Sequence, residues 1–204
     1  MTAQPTKITG VILAGGRATR MNHQDKGLVL FQNAPLISYA IAAMSPVVDL
    51  LLINANRNFE QYQGFNFPVI ADEIDGFQGA LAGILTAISH TDSEILVTMP
   101  CDSPLVKTKH LQKLLLTLAK SNSEIAVAFD GERLHPVFLA LKTSLKASLE
   151  HYLNSGERKM ERWIKQHDFI AVDFSDETDI FFNLNTLSEL SDLEKRVAVK
   201  SEQL

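Results

Sequence analysis

The feature that most restricts the fold of this chain is the short apolar run Ile8–Leu13, which leads into the glycine pair Gly15-Gly16. Its residues do not alternate regularly between polar and apolar, which is typical of a strand buried on both faces of a sheet. The glycines indicate a turn directly after the strand, because glycine tolerates backbone angles that other residues avoid. Strands buried on both faces belong mostly to sheets that helices cover, so we expect an α/β protein.

Strands and helices alternate over the first 130 residues. Apolar residues recur at the i, i+3, i+4, i+7 spacing of a one-sided helix in three segments, which begin at Ile37, Leu81 and Leu111. Further strands are expected at Asp49–Ile53, Pro68–Ile70, Glu94–Met99 and Ile125–Phe129. The alternation predicts βαβ units and a mainly parallel sheet.

The last third of the chain is less regular. The pattern predicts strands at Pro136–Leu141 and Phe169–Asp173, and helices at Thr143–Leu153 and Met160–Gln166. Thr186 and Glu189 have the spacing of a capping box, which would open a final helix running to about Val197. The 204 residues contain no repeat and no Pro/Gly-rich linker, so we expect a single domain over residues 1–204.

Charge and cysteine content exclude several classes of protein. A net charge of -5 provides no overall positive field for nucleic acid or acidic lipid. The single cysteine, Cys101, cannot form an intrachain disulfide, and it fits a reducing compartment without a metal-thiolate site. The N-terminal apolar run is too short to span a membrane. We therefore expect a cytoplasmic protein that binds neither nucleic acid nor membrane.

Glycines or polar residues follow the predicted strands. They are Leu13–Gly16 after the first strand, Asn54–Arg57 after the second, Asp72 after the third, and Asp102 after the fourth. Open parallel sheets bind ligands beyond the carboxyl ends of their strands, where the strand order reverses. We expect these four strand ends to converge on one ligand site.

The loop from Leu13 to Lys26 has the composition of a phosphate-binding loop. Adjacent glycines allow successive backbone N–H groups to turn inward as an anion-binding nest, and Arg17, Arg20 and Lys26 add cations. The loop is neither a Walker A motif nor a dinucleotide fingerprint. The alternative is a plain strand-to-loop turn, which does not explain the three basic residues.

Two further strand ends carry candidate ligand groups, each with a structural alternative. Asp102 follows a buried strand, a position that suits Mg²⁺ shared with substrate phosphates, although aspartate is also common in solvated turns. Asn54 and Asn56 offer the donors and acceptors needed to bind a purine edge or a ribose, but they are ordinary turn formers as well. Cys101 is better explained by packing than by nucleophilic catalysis, because no histidine stands near it in the sequence.

Taken together, the motifs of this chain resemble those of the molybdenum cofactor guanylyltransferase family over about Thr9 to Leu190. The first loop alone is shared with many nucleotidyltransferases, so only the combination is specific. The motifs are Leu13-Ala14-Gly15-Gly16, Arg20-Met21, Asp25-Lys26-Gly27, Asn54-Ala55-Asn56-Arg57, Leu81-Ala82-Gly83, Pro100-Cys101-Asp102, Asp130-Gly131-Glu132-Arg133, His135-Pro136, Gly156-Glu157-Arg158-Lys159, Val172-Asp173-Phe174 and Asn183-Leu184-Asn185-Thr186. The departures from the family pattern are Asn22, Ala34 and Ala80, which affect local loop shape and no charged group.

The resemblance implies a three-layer, Rossmann-like nucleotidyltransferase fold and a division of labour between two halves. The first half, at about residues 1–105, would bind GTP and Mg²⁺, and the second half, at about residues 130–190, would bind the acceptor. The implied GTP-binding residues are Leu13, Ala14, Gly15, Gly16, Lys26, Asn54, Asp72 and Asp102, with Asp102 also on Mg²⁺. Lys26, Asp102 and Arg20 are the implied catalytic residues, and Arg158, Lys159, Asn183 and Asn185 the implied acceptor-binding ones.

The implied reaction transfers GMP from GTP to molybdenum-bearing molybdopterin and releases pyrophosphate. The product would pass to molybdoenzymes or their chaperones. Two enzymatic alternatives remain open, a cytidylyltransferase acting on the same cofactor and a nucleotidyltransferase acting on a sugar phosphate. An alternative of another class is a non-catalytic adaptor that delivers the cofactor, against which the retention of Lys26 and Asp102 argues.

Overall fold

The computed structural model describes residues 6–15, 25–73 and 79–184, together with Glu189 and Leu193. In chain order the strands are β1 (Ile8–Leu13), β2 (Leu30–Phe31), β3 (Ala34–Pro35), β4 (Leu50–Asn54), β5 (Val69–Ile70), β6 (Ile95–Pro100), β7 (Ile125–Phe129), β8 (Leu134–Lys142) and β9 (Phe169–Asp173). The α-helices are α1 (Leu36–Met44), α2 (Phe59–Gln63), α3 (Ala80–Ser89), α4 (Thr108–Lys120), α5 (Lys146–Asn154) and α6 (Met160–Ile164). Segments of 3₁₀-helix occupy Lys26–Leu28, Ser45–Val47, Thr143–Leu145 and Ser175–Phe181.

Seven strands form one sheet in the order β5-β4-β1-β6-β8-β7-β9. β1 is parallel to β4 and β6, β4 is parallel to β5, and β7 is parallel to β9. β8 alone of these runs antiparallel, between β6 and β7. The mainly parallel α/β sheet predicted from the alternation of strands and helices is therefore confirmed.

Helices cover both faces of this sheet and make three layers. On one face, buried residues of α1 and α4, such as Ile37 and Leu114, pack around Ile12 of β1. On the other face, α3, α5 and α6 pack around Val11, the preceding residue of the same strand. Val11 and Ile12 are both fully buried. Successive side chains of a strand point to opposite faces, so a strand between two helical layers must be apolar without alternation.

The strand and helix predictions differ from the structure mainly at their ends. The strands expected at Asp49–Ile53 and Glu94–Met99 each lie one residue further along, and the strands at Ile125–Phe129 and Phe169–Asp173 match fully. The helix expected at Thr143–Leu153 begins as a 3₁₀ turn before α5, and α6 ends two residues early, at Ile164. Apolar periodicity marks the centre of an element, whereas local hydrogen bonds decide its ends.

Several short elements were not predicted from the sequence: α2, the β2–β3 hairpin, and the 3₁₀ segments Lys26–Leu28, Ser45–Val47 and Ser175–Phe181. In the hairpin, Gln32 and Asn33 have φ values of 47° and 65°, as both central residues of a type I′ turn require. Ala34 already belongs to β3. The loss of a family glycine at Ala34 is therefore compatible with this turn, because the left-handed positions precede it.

The region after residue 184 is described only at two positions. Glu189 and Leu193 are helical, and Leu193 is buried in a cluster with Leu36 and Leu184. Thr186 and the remainder of the predicted final helix lie outside the described residues. Within the described ranges, no helix combines the length and apolarity needed to cross a bilayer.

Candidate functional site

A cavity of about 310 Å³ lies at the carboxyl edge of the parallel strands. Most of its lining comes from the four strand ends that carry unusual polar residues, and two residues come from the second half of the chain. The lining residues are Leu13, Ala14, Gly15, Asp25, Lys26, Asn54, Asp72, Gly79, Ala80, Pro100, Cys101, Asp102, Val137 and Asn183. The expected convergence of the first four strand ends on one site is confirmed.

The end of β1 forms the floor of the cavity. The backbone N–H of Ala14 donates to the Asn54 carbonyl at 2.8 Å, and that of Cys101 donates to the Leu13 carbonyl at 3.2 Å. A Cβ atom at Gly15 would stand 2.8 Å from the amide nitrogen of Asn56, so this position cannot take a side chain without displacing Asn56. Gly16, Arg17 and Arg20, predicted to continue the phosphate loop, lie outside the described residues.

Lys26 and Asp102 form an ion pair in the cavity wall. The Nζ atom of Lys26 lies 2.9 Å from Oδ2 of Asp102, and their side chains are 27% and 8% exposed. Asp102 is therefore not the solvated turn residue of the alternative interpretation. A buried carboxylate is costly without a partner, and Lys26 supplies one while keeping its own charge at the cavity.

A network of two asparagines and one aspartate forms another part of the wall. The side-chain amides of Asn54 and Asn56 each donate to one carboxylate oxygen of Asp72 at 2.8 Å. The backbone N–H of Asp72 donates in turn to Oδ1 of Asn56 at 2.8 Å. A carboxylate oxygen can accept more than one hydrogen bond, so Asp72 can still accept a hydrogen bond from an N–H or O–H group of a ligand.

The first turns of α3 approach this network closely because of Gly83. A Cβ atom at Gly83 would lie 2.3 Å from Oδ1 of Asn54, a distance that no substitution can accommodate without movement. Asn54 is itself 3% exposed. Gly83 therefore allows α3 to lie against the end of β4, with Gly79 and Ala80 at its start facing the cavity.

A second buried carboxylate, Asp25, stands at the base of the Lys26 loop. Its Oδ1 accepts a hydrogen bond from the hydroxyl of Tyr62 at 2.8 Å, and its Oδ2 accepts from Nε of Arg57 at 3.2 Å and from the amide of Asn58 at 3.3 Å. Burial is the main reason why the pKa of Tyr62 is strongly raised, with smaller effects from Cys101 and Asp25. Tyr62 therefore keeps its proton and donates a hydrogen bond to Asp25.

Sequence reasoning missed the role of this group. Asp25 was counted only as part of the Asp-Lys-Gly motif, and Tyr62 lies on the unpredicted helix α2. The available signal was the Asp-Lys-Gly sequence itself, an acidic residue directly before the predicted phosphate-binding lysine.

Of the predicted acceptor residues that the structure describes, Asn183 lies in the cavity wall. The hydroxyl of Ser103 donates to its Oδ1 at 2.5 Å. The next residue, Leu184, donates its backbone N–H to the Asp102 carbonyl at 3.2 Å. The start of the Asn-Leu-Asn motif thus packs against the loop that carries Asp102. Asn185 lies outside the described residues.

Arg158 and Lys159 do not line the cavity. Both are exposed in the turn between α5 and α6. The guanidinium group of Arg158 donates to the backbone carbonyls of Leu153 and Glu157, at 2.7 and 2.6 Å. Their predicted role in acceptor binding stays a prediction.

Asp130 and His135, two other motif residues, form a close pair where β7 ends and β8 begins. Nε2 of His135 lies 2.7 Å from Oδ2 of Asp130, and the ring of His135 stacks on Phe181 at 3.8 Å. The pKa of Asp130 is well below its ordinary value, chiefly because the backbone N–H of Arg133 donates to its carboxylate, followed by His135 and the backbone N–H of Glu132. The pair fastens the start of β8, whose register with β7 shifts between Val127 and Ala128.

Cys101 is buried, as the packing interpretation predicts. Burial raises the pKa of its thiol, and the neighbouring charges of Asp102 and Asp25 raise it further. A nucleophilic cysteine needs a lowered pKa, so this environment opposes such a role.

The donor groups fit a hard cation held jointly with a ligand. Within the described ranges, no three His, Cys, Asp or Glu side chains stand close enough to enclose a metal ion. Mg²⁺ does not need such a cage, since it usually takes one or two carboxylates, waters and substrate phosphates. Asp102 offers one carboxylate in the cavity, whereas the side chain of Asp25 is only 2% exposed and is paired with Arg57.

Comparison with known proteins gives consistent results. A family model described as the MobA-like NTP transferase domain matches residues 10–170. The chain is 45% identical over 198 residues to the molybdenum cofactor guanylyltransferase of Shewanella halifaxensis, and the alignment covers 97% of this chain and 98% of that relative. It is 44% identical to the protein of the same name from Shewanella piezotolerans, with 97% of each chain covered.

Solved structures share the fold. The molybdopterin-guanine dinucleotide biosynthesis protein A of Archaeoglobus fulgidus superposes with a TM-score of 0.78 at 22% identity, covering 93% of this chain and 98% of that one. The 4-diphosphocytidyl-2C-methyl-D-erythritol synthase of Anaerococcus prevotii superposes with a TM-score of 0.73 at 13% identity, covering 95% and 96%. At such identities the likeness shows the fold alone, and it agrees with the Rossmann-like nucleotidyltransferase fold expected from the motifs.

Proposed function

The chain belongs to the molybdenum cofactor guanylyltransferase family, and we propose that it is a nucleotidyltransferase that transfers GMP from GTP to molybdopterin. A terminal phosphate oxygen of molybdopterin attacks the α-phosphorus of GTP. The bond between that phosphorus and the oxygen bridging to the β-phosphate breaks, and pyrophosphate leaves with the electron pair. The product is the guanine dinucleotide form of the cofactor.

The observation that carries this proposal is that one cavity brings together the groups for all three parts of the reaction. Lys26 and Asp102 supply a cation and a carboxylate for phosphates and metal, and Asn54 with Asp72 supplies a polar wall for a nucleoside. Asn183, from the far end of the chain, lies at the same cavity. A mere nucleotide-binding turn does not need this combination.

On the nucleotide side, each group has a role that follows from its chemistry. The backbone of Leu13, Ala14 and Gly15 lies against the nucleotide, and Lys26 neutralises phosphate charge. The carboxylate of Asp72 is suited to the adjacent N–H donors of guanine or to ribose hydroxyls, while the hydrogen bonds from Asn54 and Asn56 hold it in place. Gly16 and Arg20 belong to the same proposed site.

The chemical step needs positioning more than acid–base catalysis. A phosphate monoester has a second pKa of about 6, so the attacking phosphate is already largely dianionic at neutral pH. Asp102 would hold Mg²⁺, which neutralises charge on the phosphates as pyrophosphate departs. The chain itself fixes the α-phosphate between the end of β1 and Lys26, and places the acceptor beside Asn183.

We assign acceptor binding to the second half of the chain, at about residues 130–190. Asn183 is held by Ser103, and the next residue, Leu184, bonds to the Asp102 carbonyl, which supports acceptor and nucleotide sites at adjoining parts of one cavity. Arg158, Lys159 and Asn185 complete the proposed acceptor set. We also propose that the enzyme works in the cytoplasm and that its product passes to molybdoenzymes or their chaperones.

A pyrophosphate-release assay with GTP, CTP, UTP and ATP, each with molybdopterin, with a sugar phosphate or without an acceptor, tests the proposal together with equilibrium binding of GTP and molybdopterin. We expect release only when GTP and molybdopterin are both present. Release with CTP and molybdopterin would instead identify a cytidylyltransferase, and release with a sugar phosphate as acceptor would identify a sugar-nucleotide enzyme. Binding of GTP and molybdopterin without any release would identify a delivery adaptor.

A further inference from the structure

We propose that Asp25 is a positioning residue that, through Tyr62 and Arg57, fixes the ammonium group of Lys26 at the phosphate end of the cavity. The proposal rests on the assignment of this cavity to a nucleoside triphosphate. It concerns a group that we assign neither to the metal nor to the reacting atoms, and whose effect on binding passes through Lys26.

The contacts of Asp25 leave it no direct role with an anionic ligand. Its side chain is 2% exposed, although the residue stands at the cavity lining. One carboxylate oxygen accepts from Tyr62 and the other from Arg57 and Asn58. A negative charge at a phosphate site is unfavourable unless it is paired, and these three donors pair it.

The backbone around Lys26 is held on both sides by this group. The N–H of Leu28 donates to the Asp25 carbonyl at 3.0 Å, which closes the turn that contains Lys26. Gly27 lies directly on Tyr62, because a Cβ atom there would stand 2.7 Å from the tyrosine hydroxyl and 3.3 Å from the sulfur of Cys101. The backbone at Lys26 therefore cannot shift without breaking buried contacts. From this fixed backbone the side chain of Lys26 extends to Asp102.

The same group joins the two ends of the proposed nucleotide site. Arg57 and Asn58, which bond to Asp25, directly follow the segment from Asn54 to Asn56 that holds Asp72. Asp25 therefore ties the position of Lys26 to the strand end assigned to the nucleoside. The consequence is specific: loosening Asp25 weakens binding of the triphosphate much more than binding of the nucleoside.

A double-mutant cycle between Tyr62→Phe and Lys26→Ala tests this, with equilibrium binding of GTP and of guanosine as the readouts. Tyr62→Phe removes only the hydroxyl and leaves a buried oxygen of Asp25 without its donor. We expect GTP affinity to fall about tenfold and guanosine affinity to stay within about twofold. When Lys26 is already alanine, Tyr62→Phe should change GTP affinity by less than about twofold, because the group through which it acts is absent.

Equal losses of GTP affinity in the two backgrounds, or equal losses for GTP and guanosine, would overturn the proposal and leave Asp25 as a stability residue only. Asn58→Gly removes the amide that donates to the other carboxylate oxygen of Asp25 at 3.3 Å, and glycine suits the φ of 53° at this position. It provides a second arm if Tyr62→Phe folds poorly, with a smaller loss of GTP affinity that should likewise disappear when Lys26 is alanine. Tyr152→Phe is the matched control, since it removes a tyrosine hydroxyl that donates a 2.9 Å hydrogen bond to the Lys159 carbonyl, on the other half. It should leave GTP affinity unchanged.

The outcome for Asp25 can be separated from the outcome for the proposed function. If the unchanged protein prefers another nucleoside triphosphate, guanylyl transfer is wrong, and the same cycle with that nucleotide and its nucleoside still decides the role of Asp25. If it binds no nucleoside triphosphate, both proposals are overturned. If it binds GTP and the cycle shows no coupling between Tyr62 and Lys26, only the positioning role is overturned.

Discussion

Lys26 and Asp102 are 76 residues apart in sequence, yet the ammonium nitrogen of one lies 2.9 Å from a carboxylate oxygen of the other. In this ion pair each charge neutralises the other. If a triphosphate binds beside Lys26 as proposed, it meets the negative charge of Asp102 as well, and a cation bound with the phosphates would remove that repulsion. We therefore expect strong binding of nucleotide to depend on metal.

Replacing Asp102 should separate binding from catalysis. In Asp102→Ala we expect pyrophosphate release to fall by roughly a hundredfold or more, because a metal-holding carboxylate is lost. In the presence of a chelator, GTP affinity should rise above that of the unchanged protein, since Lys26 is released from its partner and a negative charge is gone. Turnover by pyrophosphate release and equilibrium titration with GTP in chelator measure the two effects.

Asp92→Ala is the matched control, because Asp92 is exposed and precedes β6 instead of following it. It should change neither quantity. Near-normal turnover in Asp102→Ala would contradict the metal assignment, and a lower affinity for metal-free GTP would contradict the repulsion.

Removal of the lysine should weaken both steps. In Lys26→Ala the phosphates lose their cation and Asp102 keeps a largely buried charge without this partner. We expect GTP affinity to fall about tenfold or more and single-turnover transfer to slow further, because a charge at the phosphates stabilises the departing pyrophosphate more than the bound substrate. Lys120→Ala, at the exposed end of α4, serves as the control. A normal rate of transfer at saturating GTP would place Lys26 in binding alone.

The acceptor side should respond independently of the nucleotide. Arg158→Ala is predicted to raise the concentration of molybdopterin needed for half-maximal rate, with little change in GTP affinity. The guanidinium group bonds to the backbone carbonyls of Leu153 and Glu157, so part of its effect is to hold the turn between α5 and α6. Steady-state rates at varied molybdopterin, with GTP titrations alongside, check this. Equal loss of both affinities would place Arg158 elsewhere.

Ser103→Ala tests whether Asn183 must be held in place. The serine is 1% exposed and its hydroxyl donates to Oδ1 of Asn183. Without that short bond the Asn183 amide is held less firmly, and we expect the molybdopterin requirement to rise about threefold to tenfold while GTP affinity stays constant. Loss of GTP affinity alone would show that Ser103 supports the Asp102 loop and not the acceptor residue.

The Asp130–His135 pair predicts a pH dependence of stability. The pKa of Asp130 is lowered in the folded state by hydrogen bonds from the backbone and from His135. Its contribution is therefore complete above the ordinary aspartate pKa of about 4 and declines as the pH falls toward the lowered folded pKa. Thermal unfolding from pH 7 to pH 3 should show a smaller loss of Tm at the acid end for Asp130→Asn than for the unchanged protein. Parallel curves would contradict this role.

The parts of the structure that could be predicted from sequence are those that a repeating pattern encodes. Val11 and Ile12, in a run without regular polar–apolar alternation, indicated a strand between two layers, and the alternation of strands with helices indicated parallel order. The position of Asp102 followed from the rule that parallel strand ends meet at one edge. These inferences depend on burial and topology, which determine how apolar residues are spaced along the sequence.

The parts that could not be predicted depend on single contacts between distant residues. Asp25 and Tyr62 are 37 residues apart, and Tyr62 lies on a five-residue helix with too few positions for a periodic signal. The type I′ turn requires positive φ at both Gln32 and Asn33, and glutamine rarely adopts such an angle. The pairing of β2 with β3 imposes the turn. Tertiary context decided both.

Isotopic labelling distinguishes transfer of the α-phosphate of GTP, with its nucleoside, to molybdopterin from every other fate of the nucleotide. With label in the α-phosphate of GTP, we expect the label to appear in the molybdopterin product. With label in the γ-phosphate, we expect all released label to be pyrophosphate. Transfer of the γ-label to molybdopterin, or release of the γ-label as inorganic phosphate without labelling of molybdopterin from the α-position, would contradict it.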